Sequence, residues 1–276
     1  MAITTFIPEV WAAKVLVNLE KALVSSAFVN HDYEGEIEKA GDTVHINNVN
    51  PITVKDYVVG TDIETEELTT VDRELKIDQQ KYINFMLDAV DAKQAAGNLM
   101  DVTSKNSAYE LADVADLFTF ATMANAATNT VGTKSAPIAI TADNVYSAIV
   151  GLKTKLDRAK CPKVGRKLAV TPEITSLLLF DPRFSQATDA GDEMRFNGYV
   201  GKVAGFEVYE TLNTPSTNNY MTMIATVPGA TTFANQILET EKYKPEKRFG
   251  EAVKSLHVYG AKTVYPGCVA VEYFTV

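Results

Sequence analysis

Cysteine is scarce: Cys161 and Cys268 are the only two in 276 residues. That excludes a disulfide scaffold and any cysteine-rich zinc module, and both are read as plain reduced thiols. Histidine is scarce too, with His31, His45 and His257 spread along the chain. A metal centre needs two or three histidines to meet carboxylates, so these are read as isolated loop or strand residues. No segment nears the roughly 18 uninterrupted apolar residues of a membrane helix. Residues Met1 to Pro8 lack a basic n-region and an apolar h-region, and no Asn-x-Ser/Thr sequon occurs. The expectation is a protein made and kept in a reducing cytosol, with no membrane partner. Positive charge is in deficit as well, with 26 basic against 35 acidic residues and a net charge of −9. A generic nucleic-acid binder carries the opposite sign, because its affinity comes from neutralising phosphates.

What the sequence does have is ordinary globular composition, 46% hydrophobic and 22% charged. At this length the chain buries a core without staples. Residues 9–29 carry Val10, Leu16, Leu19, Leu23 and Phe28 at loosely helical spacing, which suggests an N-terminal arm that packs on another element or another chain. From Gly41 the period changes to two: Val44 and Ile46, then Ile52 and Val54, then Val71 to Asp78. An acidic tract between these runs, with Asp62, Glu64, Glu66 and Glu67, makes the segment an extended hairpin with a polar tip. Such a ribbon is marginal alone, and the chain offers it no evident cover. The strongest helical signal follows at 88–127, with Asp88 or Asp91 as caps and a stripe of Leu99, Val102, Tyr109, Leu111, Val114, Leu117, Phe118 and Ala121. From Ala92 to Ala127 it would span about 54 Å.

After a polar loop at 125–137 the pattern becomes α/β. A helix runs from about 141 to Arg158, a buried strand from Arg166 to Thr171, and a second helix starts at Pro172-Glu173. Residues 185–198 read as a mobile loop. Strands follow at 205–212 and 220–227, then a short helix from about Ala230 to Ile237, then alternating runs at 251–259 and 262–274. No H-E-x-x-H, G-x-S-x-G, C-x-x-C or G-x-x-x-x-G-K-[ST] occurs. Gly198, Gly201 and Gly205 mimic a phosphate loop, but the spacing is wrong and a strand follows where a helix should, so they read as turn positions. The acidic tip lacks the spacing and central glycine of a calcium loop. The basic run Lys153, Lys155, Arg158, Lys160, Lys163, Arg166 and Lys167 lacks interleaved aromatics, and reads as a solvated face or a charge-matched subunit contact.

Four segments carry a family likeness. Gly198-Tyr-Val-Gly-Lys-Val-Ala-Gly-Phe-Glu-Val-Tyr-Glu-Thr-Leu-Asn213 resembles the G-x-x-G-x-x-x-G-F-x-V-Y-x-S-N segment of tailed-phage major capsid proteins, with Leu212 where that family often has serine. Phe249-Gly-Glu-Ala-Val-Lys-Ser-Leu-His-Val-Tyr-Gly-Ala-Lys-Thr-Val264 is similar to the family's closing F-G-x-x-V-x-x-L-x-x-Y-G-x-K-V. Lys167-Leu-Ala-Val-Thr-Pro-Glu and Gly41-Asp-Thr-Val resemble its strand-to-helix start and the beginning of its hairpin. The resemblance implies an α+β chain of the Hong Kong 97-type fold: an N-terminal arm at 1–40, an extended loop at 41–82, a spine helix and peripheral domain at 83–137, an axial domain at 138–230, and return strands at 231–276. It implies hexamers and pentamers tiling an icosahedral shell around double-stranded DNA in a virion assembled in the host cytoplasm. Portal and scaffolding proteins are implied as partners, with no cofactor, no metal and no specific DNA binding.

The acidic tip is then expected to meet Lys242, Lys244, Lys247 and Arg248 of a neighbour, or the 153–167 run. Some relatives crosslink through a loop lysine, and Lys55, Lys76 and Lys81 are the loop lysines here. An acidic container also suits its cargo, because a basic wall would grip DNA by counterion release. Two rival classes stay open: an encapsulin-type nanocompartment of the same fold, and a soluble α/β enzyme. Purified protein should show no stoichiometric zinc or iron by elemental analysis, and a one-to-one metal content would overturn this reading.

Overall fold

The computed structural model describes residues 15, 18–19, 23–33, 43–49, 53–57, 60, 62, 65–67, 70–88, 99–180, 199–246 and 250–276. The expected mobile loop at 185–198 and most of the arm lie outside them.

Two sheets and one long helix organise the chain. A seven-stranded mixed sheet contains β4 (Asn129–Val131), β5 (Ile138–Ala139), β6 (Lys167–Val170), β7 (Tyr199–Val203), β8 (Phe206–Glu210), β9 (Met221–Thr226) and β12 (Val269–Thr275). Its order is β4-β12-β9-β6-β8-β7, with β5 also on β12. The strands are short and apolar, and successive side chains take opposite faces. On one face Leu168, Val170, Met223, Ala225, Ala270 and Phe274 pack under α2 (Val145–Arg158) and α3 (Pro172–Phe180), which contribute Ile149, Leu152, Leu156, Ile174 and Leu178. On the other face Ala169, Ile224, Val271 and Tyr273 meet α1 (Leu99–Ala126) and the arm. The alternation Leu168–Ala169–Val170 shows the period directly: outer two under α2, middle one under α1.

The second sheet is antiparallel, β10-β11-β3, with β3 (Gln79–Asp88), β10 (Thr231–Tyr243) and β11 (Gly250–Thr263). Two expectations fail here. The helix placed at 230–237 is the start of β10: Pro228–Ala230 is a single 3-10 turn, and Thr231, Thr232 and Phe233 carry the β-branched and aromatic character that suits a pleated surface. Asp88 is not a helix cap but the end of β3, pairing with Gly250.

The stripe expected on α1 is also corrected. Its buried face is Ala108, Leu111, Ala112, Ala115, Asp116, Thr119, Phe120, Met123 and Ala124. Tyr109, Val114 and Leu117 point outward. Four alanines on the inner face let the helix backbone approach the sheets closely, and Phe120 supplies the bulk, edge-on to Phe28 of the arm at 5.4 Å.

Asp116 fixes the arm. It is buried on α1, and its Oδ2 and Oδ1 accept the backbone N–H groups of Val24 and Ser25, both at 3.0 Å. Further along the arm, Asn30 N donates to Thr231 O at 2.9 Å and Phe233 N to Asn30 O at 3.0 Å. Burial pushes the Asp116 carboxyl up to about 6, against the lowering effect of these hydrogen bonds. Asp116→Ala removes the acceptor of two buried donors, so it should cost about 1–3 kcal/mol in urea unfolding and expose the arm to proteases. An unchanged cleavage pattern would show that the arm is held by packing alone.

A second buried acid sits in the other core. Glu272 falls on the α2 side of β12, between Ala270 and Phe274, with 1% of its surface exposed and no hydrogen-bond partner for Oε2. Burial pushes its carboxyl up to about 7. The folded chain therefore keeps a proton that the unfolded chain has lost. This stabilisation is complete below the ordinary carboxylate range and disappears as pH rises through about 7. His257 acts in the opposite sense: burial lowers it to about 4, so its contribution is present above about 6.5 and is lost as pH falls through 4. Glu272→Gln should remove the decline between about pH 5 and 7.5 and leave the variant about 2–3 kcal/mol more stable than wild type at about pH 8. Equal pH profiles for the two proteins would refute the assignment.

Candidate assembly surfaces

The hairpin is built from β1 (Thr43–Val49) and β2 (Thr70–Lys76), antiparallel with Thr43 opposite Lys76 and Val49 opposite Thr70. The expectation that the chain offers it no cover is wrong for its base. Val44, Ile46, Leu75 and Ile77 are buried against Ala234, Val258 and Val264 of β10, β11 and the turn beyond. The fit is close: a Cβ on Gly260 would lie 2.3 Å from Lys76 O. Glycine at this strand position lets the ribbon backbone lie directly on β11. Sequence alone concealed this cover because it comes from residues near 234 and 258, far along the chain.

Beyond the base the ribbon is bare. Val54 is 95% exposed and Tyr57 67%. Of the acidic tip, Asp62, Glu66 and Glu67 are exposed, and Glu64 lies outside the described residues. Glu66 accepts hydrogen bonds from Thr53 N and Thr53 Oγ1, both at 3.2 Å, which braces the tip across the ribbon. Lys244 is exposed; the side chain of Lys242 and all of Lys247 and Arg248 lie outside the described residues. Among the described residues no ion pair joins the tip acids to Lys244 within the chain. The loop lysines Lys55, Lys76 and Lys81 are all exposed, and Lys76 pairs with Glu74 at 3.2 Å.

The outer face of the ribbon gathers a group that the spacing of the histidines did not suggest. His45 Nδ1 lies 2.6 Å from Asp72 Oδ2, and Glu74 stands opposite His45 in the register. The three could offer ligand atoms to one ion, but all are exposed and Lys76 competes for Glu74.

The basic run is split. Arg166 is not a surface charge: it is buried, with Nη1 2.8 Å from Asp157 Oδ1, Nε donating to Pro162 O at 2.7 Å and Nη2 to Cys161 O at 2.9 Å. Lys167 lies over the Tyr209 ring at 5.5 Å. Lys155, Arg158, Lys160 and Lys163 remain exposed. Lys160 has a φ of 55°, in the left-handed region that ends α2.

The glycine-bearing segment forms a hairpin. Ala204 and Gly205, with φ of 50° and 88°, make the two-residue turn between β7 and β8, and Gly201 sits at a register shift. Gly198 lies outside the described residues.

The outward side of α1 completes the exposed surface. Tyr109 is 68% and Leu117 53% exposed, and a groove of about 270 Å³ runs beside Tyr109, lined by Val24, Asp113, Asp116, Pro172 and Leu212 among others. No helix among the described residues is long and apolar enough to cross a membrane.

Compared with known proteins, the sequence matches no family model and no curated protein. The structure does have likenesses. A chain from Mycobacterium phage Che8 is 28% identical, with a TM-score of 0.72 over 91% of this chain and 90% of that one. The capsid structure of cyanophage P-SCSP1u gives 15% identity and a TM-score of 0.65, over 87% and 85% of the two chains. A virus-like particle from Pyrococcus furiosus shares the fold at 11% identity and a TM-score of 0.60, over 96% and 98%. These likenesses run nearly end to end. The chain shares the fold of these structures, the Hong Kong 97-type fold of tailed-phage capsids.

Proposed function

We propose that copies of this chain associate into hexamers and pentamers that close an icosahedral shell around double-stranded DNA. The observation that supports this best is apolar surface left bare on rigid elements: Tyr109, Val114 and Leu117 on α1, and Val54 and Tyr57 on the ribbon. Exposed aromatic and aliphatic side chains on a braced helix and hairpin suit protein contacts made by a second copy.

In this reading the base of the ribbon belongs to the subunit and the distal half reaches a neighbour. The tip acids Asp62, Glu64, Glu66 and Glu67 face Lys242, Lys244, Lys247 and Arg248, or Lys155, Arg158, Lys160 and Lys163, of that neighbour. Each exposed pair contributes only about 0.2–1 kcal/mol, so the tip sets register more than strength. Residues 138–230 form the axial domain, and α1 with the three-stranded sheet forms the peripheral one. Portal and scaffolding proteins complete assembly in the host cytoplasm. A net charge of −9 lets packaged DNA slide. The likeness to the Pyrococcus furiosus particle, nearly complete on both chains, makes a cargo-holding compartment the second reading. Nuclease-protected DNA in shells formed in infected cells distinguishes the two.

Replacing residues 58–70 by a short turn should leave a folded subunit, because the buried base at Val44, Ile46, Leu75 and Ile77 is untouched. Electron microscopy should then show capsomers or open sheets instead of closed shells. Raising salt should weaken early assembly of the wild type before it unfolds the subunit. Shells of normal size and stability from the shortened protein would overturn the proposed contact.

A further inference from the structure

The two cysteines, about a hundred residues apart in sequence, converge in the core beneath α2. Cys161 is buried among the residues that pack α2 and α3 on the seven-stranded sheet, and Cys268 packs against the same cluster. The Cys161 thiol donates to Gly267 O at 3.2 Å, the carbonyl next to Cys268. Both backbones are pinned. Arg166 Nη2 donates to Cys161 O at 2.9 Å, and Asn129 Nδ2 donates to Gly267 O at 2.7 Å. Cys268 N donates to Tyr265 O at 3.0 Å, closing the turn that leads into β12. From this geometry we infer that Cys161 and Cys268 form a redox-modification site, closing an intrachain disulfide when the protein meets a low-molecular-weight disulfide such as oxidised glutathione.

The chemistry is exchange in two steps. Cys268 is partly exposed and meets the reagent first. Its thiolate attacks one sulfur of oxidised glutathione, forming a mixed disulfide and releasing one glutathione thiolate. The Cys161 thiolate then attacks the Cys268 sulfur and expels the second glutathione. The chain loses two electrons and two protons, and oxidised glutathione becomes two thiols. The second step is slow at neutral pH. Burial and the neighbouring Cys268 side chain push the Cys161 thiol up to about 12, and the Arg166 guanidinium opposes this only in part. Slow closure leaves the pair reduced in a reducing interior and lets it close gradually outside one. The link would close a loop of roughly a hundred residues and constrain the unfolded chain accordingly. The site lies inside one subunit and does not rest on the shell reading.

The test uses the full chain, incubated with oxidised glutathione at about pH 7 and about pH 9, blocked with N-ethylmaleimide and digested without reductant. The expected product is a crosslinked peptide pair containing Cys161 and Cys268, formed faster at the higher pH and abolished by dithiothreitol. The oxidised chain should show a higher thermal midpoint that dithiothreitol restores to the reduced value. Cys161→Ala should instead accumulate glutathione on Cys268. Stable glutathione on Cys268 in the wild type, or maleimide on both cysteines after prolonged oxidation, would overturn the inference. The wild-type peptide map decides the matter even if a cysteine variant folds poorly.

Discussion

Burial of α1 against two different sheets is the constraint on which the rest of the subunit depends. The helix packs on β9 and β12 of the seven-stranded sheet and on β11 of the three-stranded one. One helix can serve both only if its inner face is thin, which Ala108, Ala112 and Ala115 provide, and if bulk enters where the sheets diverge, which Phe118 and Phe120 provide. Phe118 meets Tyr259 of β11 at 5.6 Å, while Phe120 meets Phe28 of the arm. The arm then closes the gap. Phe28 also lies 5.3 Å from Tyr209 of β8, so a single arm residue touches the helix and the larger sheet, and Asn30 two positions on joins β10. Close packing of this kind is intolerant of volume change, so the relative placement of the sheets follows from the helix.

The sequence made local elements legible where period and composition agreed. α2, β6 and α3 are examples, because Pro172 and Glu173 mark a helix start and Lys167 to Val170 is a compact apolar run. The long helix was legible as a helix, but its faces were not. Tyr109, Val114 and Leu117 are as apolar as the residues that are buried, and nothing local says which side meets the sheet. β3 was missed because its first residues, Gln79, Gln80 and Lys81, are polar and its pairing partner β11 lies far along the chain. The beginning of β10 was misread because Ala234, Asn235, Gln236 and Ile237 fit a helix as well as a strand, until pairing with Gly260 to His257 decides. Long-range pairing also explains the hidden cover of the ribbon and the meeting of Cys161 with Cys268. In each case the missing information was tertiary, and propensity is only a weak prior against it.

The division of the ribbon into a buried base and a bare distal half has a mechanical consequence. A free two-stranded ribbon would lose much conformational freedom on meeting a partner, and that loss would subtract from the contact. Here the base is already fixed by Val44, Ile46, Leu75 and Ile77, with Gly260 holding the backbones close. The hydrogen bonds from Thr53 to Glu66 extend that order toward the tip. A projection ordered in advance offers Val54 and Tyr57 to a partner at a lower entropic cost than a disordered loop would.

The placement of charge bears on how copies would meet. Asp62, Glu66 and Glu67 lie between the ribbon strands β1 and β2, whereas Lys155, Arg158, Lys160 and Lys163 lie at the end of α2 and beyond, on a different element. A patch that is attractive only to an unlike patch cannot pair with itself across a twofold axis. It needs an unlike patch on the neighbour, met either reciprocally across a twofold axis or head to tail in a heterologous contact. Contacts of that kind form rings when the rotation between neighbours closes, and open filaments when it does not. Because the ribbon is fixed to the subunit at its base, the rotation between neighbours would be set by an element already ordered in the free chain.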